Sequence, residues 1–66
     1  MSAHDVRVAL RKVLNLIVDS AIAADDAIAR DDPENLATAI EALATNSNSA
    51  KDLAAAWQAH HAGMGA

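Results

Sequence analysis

Arg30-Asp31-Asp32-Pro33-Glu34-Asn35 lies almost at the middle of this 66-residue chain, and its reading decides the fold. Proline has no N–H to give to a helical ladder, so it breaks a helix from within and is harmless at the first helical position. It also pushes the residue before it out of the helical region. Asp32, just ahead of Pro33, has the side chain of an N-cap. A helix arriving from the left therefore stops here, and a new one starts at Pro33. Helix-like sequence of about equal length lies on either side. The expectation is an all-α fold, an antiparallel helical hairpin with its turn at 31–33.

To the left, Ser2-Ala3-His4-Asp5 has the S-x-x-D pattern of a capping box. No Pro or Gly follows until the central turn, which predicts one helix over 3–30. Val6, Leu10, Val13, Leu14, Ile17, Ala21, Ala24 and Ile28 recur at helical spacing and form the expected inward stripe. Lys12, Asn15, Asp19, Asp26 and Arg30 fall on the opposite side. Val18 and Ile22 flank the stripe on one edge and Leu16 on the other, while Val8 lies near the polar side. A helix that packs on one neighbour needs an apolar arc of only about 100°. The excess points to a second contact, and Val18, Ile22, Leu16 and Trp57 are its candidate residues.

To the right, Leu36, Ile40, Leu43, Ser47, Ala50, Ala54 and Trp57 alternate steps of four and three, the spacing of a coiled-coil seam. Thr45-Asn46-Ser47-Asn48-Ser49 is a run of poor helix formers, and Ser49-Ala50-Lys51-Asp52 repeats the capping pattern. Two readings follow. In one, the second arm is a continuous helix over 33–61, weak or kinked near Asn46–Ser49; in the other it breaks there, giving a three-helix bundle. The apolar stripe keeps its phase across the run, which favours the continuous arm. Residues 62–66, with both glycines of the chain, are expected to form a flexible tail, and 1–66 to form one small domain.

Composition narrows the function. A single core of this size rarely supplies more than about 3–5 kcal/mol. There is no cysteine, so neither a disulfide nor a thiolate metal site can add to it. Self-association or a partner is left as the support. The net charge of −4 argues against a strong grip on nucleic acid or anionic lipid. No apolar run approaches the ~20 residues that span a bilayer. The expected setting is the cytoplasm, without a membrane partner.

The charges are unevenly placed. Arg7, Arg11 and Lys12 mark one end of the expected rod, and Asp25, Asp26, Asp31, Asp32 and Glu34 crowd the bend. A second hairpin laid head to tail would bring opposite charges together, which favours an antiparallel homodimer that completes a four-helix bundle.

His4, His60 and His61 are the only groups with evident metal or catalytic potential. Adjacent histidines on a helix point about 100° apart and seldom share an ion, so they read as exposed imidazoles. No nucleophile–base set and no phosphate loop is present. Neither enzyme chemistry nor a metal or cofactor is expected. Trp57, the one aromatic residue, falls on the seam and is also the natural anchor for another protein. The sequence thus reads as a non-enzymatic interaction module that self-associates and binds or occludes a protein partner. The alternative is a small nucleic-acid-associated regulator using Arg7, Arg11 and Lys12 of a dimer.

Overall fold

The computed structural model describes residues 2–65. Two helices, α1 (Ala3–Ala29) and α2 (Pro33–Gly65), lie antiparallel as a hairpin. The rod measures 51 × 16 × 14 Å between Cα atoms. The fold class expected from the sequence is the one found: an all-helical hairpin whose second arm is a single helix.

Each boundary has a local cause. Ser2 is the N-cap of α1, and its Oγ accepts from the Asp5 N–H at 3.1 Å. At the other end, the Asp31 N–H donates to the Ile28 carbonyl at 3.1 Å and the Asp32 N–H to the Ala27 carbonyl at 2.9 Å. These paired bonds make a Schellman motif, which requires a left-handed residue between them. Asp31 takes that conformation, with φ 55°. Asp32 then opens the next helix. Its Oδ1 accepts from the Asn35 N–H at 3.2 Å, and its Oδ2 accepts from Asn35 Nδ2 at 2.6 Å. Pro33 follows at the first position of α2, where no donor is missed. One aspartate therefore ends one helix and begins the other.

The seam is turned from the expected one. The inward side chains of α1 are Ala3, Val6, Leu10, Val13, Ile17, Ser20, Ala24 and Ala27, in steps of three and four. Leu14, Ala21 and Ile28, expected in that stripe, are exposed. On α2 the inward set is Leu36, Ala39, Leu43, Asn46, Ala50, Leu53, the partly covered Trp57 and His60. Ile40 and Ser47, expected in the seam, are exposed, and Ala39 and the half-buried Asn46 take their places. The bend explains the rotation. With only Arg30, Asp31 and Asp32 between the helices, the axes start close together. Close axes require small side chains between them. Ala24, Ala27 and Ala39 fit there; Ile28 and Ile40 do not.

α2 runs unbroken through Thr45–Ser49. Leu43, Asn46 and Ala50 dock this stretch on α1, and such packing outweighs weak propensity. The helix also continues past 61 to Gly65, where a tail was expected; Ala66 lies outside the described residues. Glycine weakens a helix by about 1 kcal/mol but still supplies its hydrogen bonds, unlike proline.

Candidate interaction surface

Along the seam Leu10, Val13, Ile17, Leu36, Leu43 and Leu53 are half-buried and alanines gather near the bend, while several other large side chains lie outside. Among the described residues Val6, at 1% exposure, is the largest fully buried side chain, and Ala24, Ala27 and Ala39 are buried with it. Ile22 is 63% exposed, Ile28 62%, Val18 56%, Ile40 49% and Leu14 48%.

Most of these side chains share one broad side of the rod. Arg7, Arg11, Leu14, Val18, Ala21, Asp25 and Ile28 follow one another at steps of four and three. That spacing makes a second stripe along α1, beside the seam. Ile22 borders its outer edge. On α2 the matching stripe is Ala37, Ile40, Ala44, Ser47, Lys51, Ala54, Gln58 and His61. A hollow shared by Arg7 and His61 sets the stripes on the same side. Near the open end, Ala3, His4 and Arg7 line a hollow of about 320 Å³ with Trp57 and His61. Near the bend, Ile28 lines another with Pro33 and Leu36.

Of the residues that the sequence nominated for self-association, Val18, Ile22 and Trp57 border this side. Leu16 does not. It lines a groove of about 390 Å³ on the other side, with Asp19, Ala23, Asp26, Asn35 and Thr38. Leu14, Ile28 and Ile40 are surface residues that sequence reasoning missed, because it had assigned them to the hairpin's own seam. The signal was the set of alanines at Ala24, Ala27 and Ala39, which a tight bend needs.

The charge clusters divide as well. Arg7 and Arg11 stand on the apolar stripe, whereas Lys12, one residue on, points about 100° away. The three therefore form no single basic patch. At the bend, Asp26 Oδ2 pairs with Arg30 Nε at 3.0 Å, both largely in solvent. Asp31 shapes the turn and Asp32 caps α2. Asp25 lies on the stripe and, among the described residues, has no ion-pair partner within the hairpin.

The histidines gather little. The Trp57 and His61 rings lie 4.2 Å apart between centroids at a 59° tilt. His4 borders the same hollow, while His60 borders another with Ala56 and Ala59. Among the described residues no three His, Cys, Asp or Glu side chains converge as a metal site would require. No helix there is long and apolar enough to cross a membrane.

No protein-family model, curated protein or solved structure matches this chain.

Proposed function

We propose that the chain is a non-enzymatic, cytoplasmic interaction module whose first partner is another copy of itself. The two copies would join through the broad apolar side into an antiparallel four-helix bundle. One observation carries the reading: the hairpin leaves Leu14, Val18, Ile22, Ile28 and Ile40 in water. The side available is large enough. A rod 51 Å long and 16 Å wide offers roughly 800 Å² on one side, the area that each partner of a standard stable interface contributes. The assembled bundle would then regulate or occlude a further protein partner through what stays outside.

Sedimentation equilibrium of the full chain across a wide concentration range tests this, with thermal melts alongside. The expected result is a dimer whose melting temperature rises with concentration, because association adds to the stability of the folded state. A cooperatively melting monomer at every concentration would end the proposal.

A further inference from the structure

We infer that the second copy seats end for end over Val18, helix α1 against helix α1, with Arg11 of each copy facing Asp25 of the other. This rests on the antiparallel self-association proposed above and adds its register. Arg11 and Asp25 lie seven residues to either side of Val18. Seven residues are about 10.5 Å along the axis and bring the side chain back to within about 20° of the same direction. Leu14 and Ile22 stand four residues to either side, one turn away, tilted about 40° to opposite flanks of Val18. The stripe is therefore apolar at its centre and opposite in charge at two points equidistant from that centre.

Such a pattern is complementary to itself only when one copy is reversed. A two-fold axis through Val18 then makes two Arg11–Asp25 pairs and closes the apolar side chains between them. A parallel pairing over the same stripe would instead set Arg11 against Arg11 and Asp25 against Asp25. Both residues are exposed, and neither has an ion-pair partner within the hairpin among the described residues. On α2 the seam register sets Ala44 at about the height of Val18. Its small side chain lets the two layers close there.

The test uses the full-length chain in four forms: unchanged, Arg11→Asp, Asp25→Arg, and both together, each by sedimentation equilibrium. Two-fold symmetry doubles every change, so each single swap replaces two attractions by two repulsions. The expected loss is roughly tenfold in dimer affinity for each single swap, with the double swap returning to within about threefold of the unchanged chain. The chain has no cysteine, so one introduced thiol is a clean second probe. Val18→Cys should cross-link to its own copy on mild oxidation, whereas Asp19→Cys, pointing about 100° away, should not. Dimers that ignore the single swaps, losses that add in the double swap, or equal cross-linking from both thiols would overturn this register while leaving self-association in place. A monomeric unchanged chain would instead remove the reading beneath it.

Discussion

Val18→Asp separates a surface meant for a partner from a surface that merely tolerates grease. Val18 is 56% exposed in the hairpin, so a little over half of its burial is still to come. Full burial of a valine is worth about 1.5 kcal/mol at the lower end of the range, which leaves about 0.8 kcal/mol per copy and 1.6 per dimer. Two carboxylates brought near the two-fold axis add about 1 kcal/mol of repulsion at the intermediate dielectric of an interface. The sum, about 2.5 kcal/mol, raises Kd by about sixtyfold. The matched control is Leu16→Asp. It removes a larger aliphatic side chain of similar exposure, 50%, from the opposite side of the rod. Its Kd should stay within about threefold of the unchanged chain. Sedimentation equilibrium gives both constants, and circular dichroism at high concentration checks that each variant is helical. Equal weakening by the two substitutions, or none by either, would refute the claim that one particular side associates.

Asp31→Gly and Asp31→Asn should each raise the stability of the bend, by about 0.5–1 kcal/mol, since both residues accept φ 55° more readily and both remove a negative charge beside a helix C-terminus. Urea unfolding of the chain would show it, and a loss of stability in both would contradict the αL assignment. Asp32→Ala should cost about 1–2 kcal/mol in the same assay, because the Asn35 N–H and Nδ2 both lose their acceptor. Asn46→Leu should raise the melting temperature by filling the seam with an apolar side chain, whereas Ser47→Leu should chiefly tighten self-association, because Ser47 faces outward on the stripe that holds Ile40. An equal rise in unfolding stability from both, with no change in dimer affinity, would place Ser47 in the seam after all.

The bend was legible because its chemistry is local. Pro33 and Asp32 announce a start, Ser2 announces another, and hydrogen bonds within a few residues satisfy both. The continuity of α2 was legible through phase, since an apolar stripe that survives a weak stretch implies a helix that survives it too. The rotation of the seam was not. Leu14, Ala21 and Ile28 are as apolar as Ala24 and Ala27, and Ser20 looks like the poorer choice for an interior. Two overlapping stripes share α1, and hydrophobicity alone does not rank them. What ranks them is the distance between axes, which the three-residue connection sets and which no periodicity reports. The excess of apolar surface on α1 could be read from the sequence, but its concentration on one side of the hairpin needed the register.

The large side chains left outside bear on how the molecule holds together. An alanine offers little more than one methyl group to a core, worth about 0.8 kcal/mol, while an isoleucine offers up to about 3. The hairpin encloses Ala24, Ala27 and Ala39 and sets Ile22, Ile28 and Ile40 outside. Much of the free energy available from burying apolar side chains is thus unspent in a single copy. The alanines are not idle: they favour the helical backbone and let the axes come close near the bend. The tight bend at Asp31 and Asp32, which brings Ala24, Ala27 and Ala39 together, would thus shape the proposed association surface without touching the second copy.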